Sequence, residues 1–308
     1  MARIVVTEFM DEAAIASLRA RHEVLYDPQL VDDPVRLHAQ AASADGLIVR
    51  NRTQVRGELL EALARCRVVG RLGVGLDNID TVACARRGMK VIPATGANAL
   101  AVAEYVVSSA LLLLRGAYRS SHDVVEGRWP RQALGNGREI GGKTLGLVGF
   151  GSIGQLTARL AQALGMTVLA FDALLGGDDP IFASSGVRSV SLDELCARSD
   201  VVSLHVPLLD ATRHLFDAAR IASMKPGAVL VNSARGGVVD EAALGQALRS
   251  GHLGGAALDV FETEPLAAGS VLAGCPNLLL TPHIAGVSAE SNQRVSALIA
   301  QRVLEELG

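Results

Sequence analysis

The stretch KTLGLVGFGSIG at residues 143–154 constrains the fold of this chain more than any other. Leu145 to Val148 form a short apolar run of the kind that suits a parallel strand covered on both faces, and Gly149, Gly151 and Gly154 follow with the spacing G-x-G-x-x-G. Behind them, QLTARLAQALG sets Leu156, Leu160, Ala163 and Leu164 at helical spacing, so the glycines mark the point where a strand becomes a helix. In that context the first glycine permits a tight turn, the second leaves room for a pyrophosphate against the backbone, and the third lets the helix pack closely. The helix N-terminus offers free N–H groups to the anion. Asp172, closing the next strand TVLAFD roughly 20 residues on, completes the pattern of a dinucleotide site. A carboxylate there accepts from ribose hydroxyls and repels a 2′-phosphate. Ala173, Leu174 and Leu175 supply no arginine to receive one, so NAD is expected over NADP.

The rest of the chain is placed by reference to that turn. Before it, RIVV, EVLYD, GLIVR, RVVGRLG and KVIPAT are strand candidates separated by helical patterns such as residues 11–21 and 34–42. After it, six strands are expected near residues 145–150, 167–171, 201–205, 228–232, 256–260 and 278–281. The expected fold is therefore α/β, with two doubly wound parallel-sheet domains: a flavodoxin-like one and a Rossmann dinucleotide-binding one. The 308 residues are enough for both. A helical tail at 288–307 has no strand left to cover in the second domain and is expected to return to the first. The boundaries then read 1–97 plus 285–308 for a discontinuous first domain and 98–284 for the second, with crossings near Ala97 and Ile284. Between Thr95 and Arg119 lies what reads as the longest helix, capped at Asn98 and apolar on nearly every side. It is followed by an extended arm or loop at 120–142 around Trp129, the only tryptophan. That much apolar surface favours a two-fold homodimer. Residues 137–144, GREIGGKT, satisfy the phosphate-loop pattern formally, but they follow a polar arm and open a strand, the inverse of the required context.

Composition removes other classes. A net charge of −3 with no block of like charge argues against a nucleic-acid surface, and 3% aromatic residues leave little for stacking bases. The longest apolar block, near 106–114, is too short to span a bilayer, and the N-terminus lacks the pattern of a secretory signal, so the cytoplasm is the expected compartment. Cys66, Cys84, Cys196 and Cys275 are scattered, with no metal-ligand spacing, and read as buried free thiols; no metal is expected.

Three reactive residues stand near the ends of later strands: Arg235 in NSARGGVVDE, Glu264 in FETEPL and His283 in TPHIAG. Ligands of open parallel sheets bind outside the carboxyl ends of strands, which is where all three fall. An arginine there can hold a carboxylate by two parallel hydrogen bonds, and a histidine can exchange a proton while a neighbouring carboxylate fixes its tautomer. Singly, each has a structural explanation: Arg235 as a cap or surface charge, Glu264 as a turn residue beside Pro265, His283 as a satisfied turn histidine. Together, beside a dinucleotide turn, they read as reaction machinery.

At these residues the chain resembles the D-isomer-specific 2-hydroxyacid dehydrogenases, through LGVGLDNID at 72–80, VGFGSIG at 148–154, NSARGGVVDE at 232–241, ALDVFETEP at 257–265 and TPHIAG at 281–286. The resemblance implies that Arg235 binds the substrate carboxylate, that His283 is the acid/base and that Glu264 pairs with it. It further implies substrate contacts at Arg50, Asn51, Val74 and Gly75, and NAD contacts at Gly149, Gly151, Ser152, Ile153, Gly154, Asp172, His205, Pro207, Thr212, Ser233, Ala234, Asp259 and Gly286, with Asp259 at the nicotinamide carboxamide. The partner is then a small 2-hydroxy or 2-oxo acid. Arg50 and Arg52 alternate around Asn51, so one could face the ligand and one lie outside; an inward Arg50 favours an additional anionic or polar group at C3. Within the family the nearest resemblance is to phosphoglycerate dehydrogenases of the short type, without a regulatory domain, and to sulfolactate dehydrogenases; glyoxylate and hydroxypyruvate reduction stay open. From another class, relatives of this fold serve as NAD-sensing corepressors. Formate dehydrogenases place Gln where this chain has Glu264.

Overall fold

A parallel strand buried on both faces must send apolar side chains to both sides of the pleat. β1 (Arg3–Val6) does so: Ile4 and Val6 enter one core and Val5 the other. The computed structural model describes residues 1–308 and divides into one unit of Met1–Asn98 with Val287–Gly308 and another of Ala99–Gly286.

In the first unit β1 is followed by α1 (Glu12–Arg19), β2 (Glu23–Tyr26), α2 (Pro34–Ala41), β3 (Gly46–Val49), α3 (Gly57–Ala62), β4 (Val68–Arg71), α4 (Thr81–Arg86) and β5 (Lys90–Pro93). The five strands pair in parallel in the order β2-β1-β3-β4-β5, the flavodoxin-like arrangement. Aspartates cap three of its helices, with Asp11, Asp33 and Asp80 accepting first-turn N–H groups of α1, α2 and α4.

The second unit begins with α5 (Ala99–Arg115) and α6 (Ser121–Val125). It continues through β6 (Thr144–Val148), α7 (Ser152–Ala163), β7 (Thr167–Phe171), α8 (Pro180–Ser185), β8 (Arg188–Ser189), α9 (Leu192–Arg198) and β9 (Val201–Leu204). α10 (Ala218–Ala222), β10 (Val229–Asn232), α11 (Glu241–Arg249), β11 (Gly255–Leu258) and β12 (Leu278–Leu280) complete it. The sheet is parallel throughout, in the order β12-β11-β10-β9-β6-β7-β8. The chain winds outward from β6 in one direction and from β9 in the other, so the topological switch point lies between them. One core, with Leu145 and Leu147, is covered by α5 and α7, and the other contains Val148, Leu230 and Leu244.

α12 (Ala289–Leu307) belongs to the first unit, where Val295, Ile299 and Val303 join the core of Ile4, Ile48 and Val68. Gly70 on β4 allows this approach: a Cβ there would lie 2.7 Å from Ile299 Cγ2 and 2.9 Å from Val303 Cγ2.

Several expectations need correction. The second sheet has a seventh strand, β8, whose two residues are too few to produce an alternation in sequence. The longest helix is α12 with 19 residues, against 17 in α5. Asn98 does not cap α5 with its side chain, since its Oδ1 is buried without a hydrogen-bond partner. On α5, Leu100, Leu111 and Leu112 are exposed in the single chain. The segment at 120–142 is not simply extended but contains α6 and a 3₁₀ turn, Ala133–Asn136. Cys275 is only half-buried, while the other three thiols are buried, and all four are free.

Ile299 is fully buried where α12 meets the sheet. Ile299→Ala is expected to cost about 2–5 kcal/mol, read as a lower urea midpoint; an unchanged midpoint would mean that the helix contributes little to this core.

Candidate active site

The cofactor half starts from three glycines with three separate reasons. Gly149 sits at φ +97°, its N–H donates to Phe171 O at 2.7 Å, and a Cβ would fall 2.6 Å from His205 O. Around Gly151 a Cβ would meet nothing within 4 Å, so the backbone there is open to a ligand. At Gly154 a Cβ would lie 2.5 Å from Gly149 O, which is the close helix packing expected of the third glycine. The first intrahelical bond of α7 runs from Gln155 N to Gly151 O, at 2.9 Å. The N–H groups of Ser152, Ile153 and Gly154 therefore precede the helical ladder.

Asp172 follows β7 and reaches back to the turn, with Oδ2 accepting from Phe150 N at 2.7 Å and Oδ1 from Leu174 N at 2.9 Å. Each oxygen keeps acceptor capacity for a ribose hydroxyl. His205 follows β9, its Nε2 lies 3.0 Å from Ser203 Oγ, and burial lowers its pKa to about 4. Thr212 closes its own loop by donating to Pro207 O at 2.6 Å and accepting from Leu209 N at 2.8 Å. After β10, Ala234 N donates to Asn232 Oδ1 at 3.1 Å, and Ser233 Oγ is buried without a partner. An open glycine, a free helix start, a fixed strand-end acid and an orphaned hydroxyl fit a bound dinucleotide.

The reaction half is built on the next three strand ends. Asn232 ends β10 and is 1% exposed; its Nδ2 donates to Arg235 O at 2.9 Å, so one amide side chain ties both ends of the loop that carries Arg235. Arg235 Nη1 donates to Ala234 O at 2.6 Å. Gly236 lies so close to Phe261 O that any Cβ would collide with that peptide, which brings the Arg235 loop against the segment leading to Glu264. Glu264 Oε1 accepts from Phe261 N at 3.1 Å, and Oε2 lies 2.8 Å from His283 Nδ1. His283 adopts φ +55° and donates its N–H to Asp259 O at 2.8 Å, a left-handed conformation that histidine tolerates better than most residues. With Nδ1–H donated to the carboxylate, Nε2 is the nitrogen left to exchange a proton.

Asp259 is the anchor of that loop. At 1% exposure, its Oδ1 accepts from Thr281 Oγ1 at 2.6 Å and Ile284 N at 2.8 Å, and its Oδ2 from Ala285 N at 2.7 Å. Its carboxylate is thus occupied on the loop that bears His283, an engagement its place in ALDVF does not suggest. Tyr105 on α5 backs Thr281 through a 2.7 Å hydroxyl contact, and burial raises its pKa. Gly286 ends this unit.

In the first unit, Arg50 and Asn51 follow β3. Arg50 Nη2 donates to Asn292 Oδ1 at 2.8 Å, and its guanidinium lies 5.8 Å from the Phe9 ring centroid. Arg52 pairs instead with the exposed Asp32. Val74 and Gly75 lie in the loop after β4, and neither gives its N–H to a backbone acceptor. Glu8 and Asn78, both buried, support the Arg50 turn. No motif marked Glu8; its one signal is an acid two residues after an apolar strand.

The doubly wound sheet, the glycine turn and the His–Glu pair at the strand ends define a nicotinamide-dependent dehydrogenase. The chain belongs to the D-isomer specific 2-hydroxyacid dehydrogenases, whose NAD binding domain matches residues 107–285. It is 53% identical over 308 residues to the (S)-sulfolactate dehydrogenase of Chromohalobacter salexigens, covering 100% of this chain and 99% of that one. The hydroxypyruvate reductase of Thermotoga maritima is 38% identical over 99% of this chain and 98% of its own. Among solved structures, a protein from Thermus thermophilus superposes with a TM-score of 0.87 at 33% identity, over 99% and 96% of the two chains. An NAD-dependent formate dehydrogenase from Staphylococcus aureus in complex with NAD gives 0.82 at 30%, over 100% and 95%. The chain is an NAD-dependent oxidoreductase acting on a 2-hydroxyacid.

The lowered pKa of His205 has a consequence for stability. The unfolded chain binds a proton below about pH 6.5 that the folded chain refuses until about pH 4. Stability therefore falls as pH drops through that window and is retained above it. His205→Gln is expected to flatten that part of the profile, measured by urea denaturation at a series of pH values.

Proposed function

We propose that this dehydrogenase interconverts a 2-hydroxyacid bearing an anionic group on C3 with its 2-oxo acid, and that 3-sulfolactate is its preferred substrate. The observation that carries the reading is Arg50, half-buried and oriented by Asn292 and Phe9, whereas Arg52 is neutralised by Asp32. The full-length similarity to a sulfolactate dehydrogenase supports it. The stereochemistry agrees, because the sulfomethyl group outranks the carboxylate in priority and the D arrangement at C2 carries the label S.

In this reading Arg235 holds the substrate carboxylate by paired hydrogen bonds, and Arg50, Asn51 and the peptides of Val74 and Gly75 bind the remainder. NAD, when bound, supplies hydride transfer to or from C2. His283 gives its Nε2 proton to the C2 oxygen during reduction and takes it back during oxidation. Glu264 holds Nδ1–H and balances the charge that the ring gains. The turn at Gly149–Gly154 with Ser152 and Ile153 would take the pyrophosphate, and Asp172 the ribose hydroxyls. His205, Pro207, Thr212, Ser233, Ala234, Asp259 and Gly286 would border the remainder of the cofactor.

The 2.8 Å His283–Glu264 pair favours turnover over a purely NAD-sensing, corepressor-like role, and the carboxylate at Glu264 distinguishes the site from the glutamine expected of a formate dehydrogenase. A hydroxypyruvate or glyoxylate reductase is the second reading, supported by the Thermotoga relative. We also place the chain in a cytoplasmic homodimer. No helix is long and apolar enough to cross a membrane, and Tyr118, Val125 and Trp129, the last 75% exposed, offer an apolar surface to a second copy. Light scattering is then expected to give twice the chain mass of 32.1 kDa.

His283→Asn should lower kcat about 10²–10⁴-fold while NADH binding, followed by fluorescence, is retained; unchanged turnover would remove His283 from its role. For the substrate, kcat/KM with sulfolactate should exceed that with glycerate, lactate or 3-phosphoglycerate by about tenfold or more. A preference for glycerate would favour the second reading.

A further inference from the structure

Glu8 lies just after β1 and is 4% exposed. Its carboxylate meets four successive peptide N–H groups. Oε1 accepts from Arg50 N at 2.8 Å and Thr53 N at 3.1 Å, and Oε2 from Arg52 N at 3.1 Å and Asn51 N at 3.3 Å. The carbonyls of the same turn answer to a second buried side chain, with Asn78 Nδ2 donating to Thr53 O at 2.7 Å and Arg50 O at 3.3 Å. The sheet does not need this arrangement, because β1 already extends its pairing to β3 through Thr7 N and Ile48 O at 3.1 Å.

Taking a carboxylate out of water costs several kcal/mol unless its lone pairs are filled, so a buried acid with four donors fixes the donors as firmly as they fix it. A run of converging N–H groups is ordinarily a place where a loop captures an anion from solution. Here the protein's own carboxylate occupies it, and recognition passes to the side chains that the turn presents. Foremost among these is Arg50, whose charge burial disfavours and the nearby Glu8 supports.

We propose that Glu8, with Asn78, is the positioning residue for the C3-anion contact: it sets the backbone direction at Arg50 and thereby the discrimination between substrates with and without an anion on C3. The inference rests on the reading of Arg50 given above. Glu8→Gln would turn an amide NH₂ toward two of the four donors, breaking their bonds and leaving them buried.

The test compares sulfopyruvate with hydroxypyruvate as substrates for the wild type, E8Q, E8D and R50Q, with NADH affinity measured by fluorescence on the same preparations. E8Q is expected to raise KM for sulfopyruvate about tenfold or more while leaving kcat, the hydroxypyruvate KM and the NADH affinity within about threefold. E8D, which keeps the charge, should recover part of the loss. An equal loss on both substrates, or no loss in E8Q while R50Q abolishes the preference for sulfopyruvate, overturns the positioning role and leaves the Arg50 reading intact. If R50Q itself keeps that preference, the Arg50 reading falls and the inference with it. Should E8Q fail to fold, N78A loosens the same turn from its carbonyl side and is held to the same split.

Discussion

The carboxylate of Asp259 is the interaction on which the reaction half of this protein depends. It is buried at the end of β11 and takes bonds from Thr281, Ile284 and Ala285, so the loop after β12 is fixed to the neighbouring strand end. His283 stands in that loop with a left-handed backbone, held by its own N–H to Asp259 O. In that position its Nδ1 lies 2.8 Å from Glu264 Oε2. Parallel pairing of β10, β11 and β12 supplies the other part, since it places successive strand ends, and the loops of Arg235, Glu264 and His283, side by side.

The same device recurs. Glu8 after β1, Asp172 after β7 and Asp259 after β11 are strand-end acids whose first task is to accept backbone N–H groups from an adjacent loop. Loop peptides at the carboxyl edge of a parallel sheet have no ladder partner, and a carboxylate satisfies several at once with charge-assisted bonds. Rigid loops follow, and rigid loops carry the reacting and binding side chains. Ion pairs at the surface, such as Arg52 with Asp32, contribute little by comparison.

Close backbone approach is the second requirement. Gly154 admits the peptide of Gly149, Gly236 admits that of Phe261, and Gly70 admits α12. Gly151 of the dinucleotide turn is different in kind, since nothing in the chain crowds it.

Much of this is legible in the sequence. The strand-turn-helix at Gly149–Gly154, the alternation of strands and helices, and Arg235, Glu264 and His283 in loops after apolar strands all follow from local pattern, because period, punctuation and residue chemistry are local properties. The two-residue β8 is not, being too short to carry a period, nor is the failure of Asn98 to cap α5. By itself, then, the sequence determined the two parallel sheets, the dinucleotide turn and the placement of Arg235, Glu264 and His283 in loops after strands. Only the tertiary structure decided which side chains hold them. The bonds of Glu8 to residues 50–53, of Asp259 to residues 281–285, and of Arg50 to Asn292, 242 positions away, join segments remote in sequence, and such pairings leave no local trace.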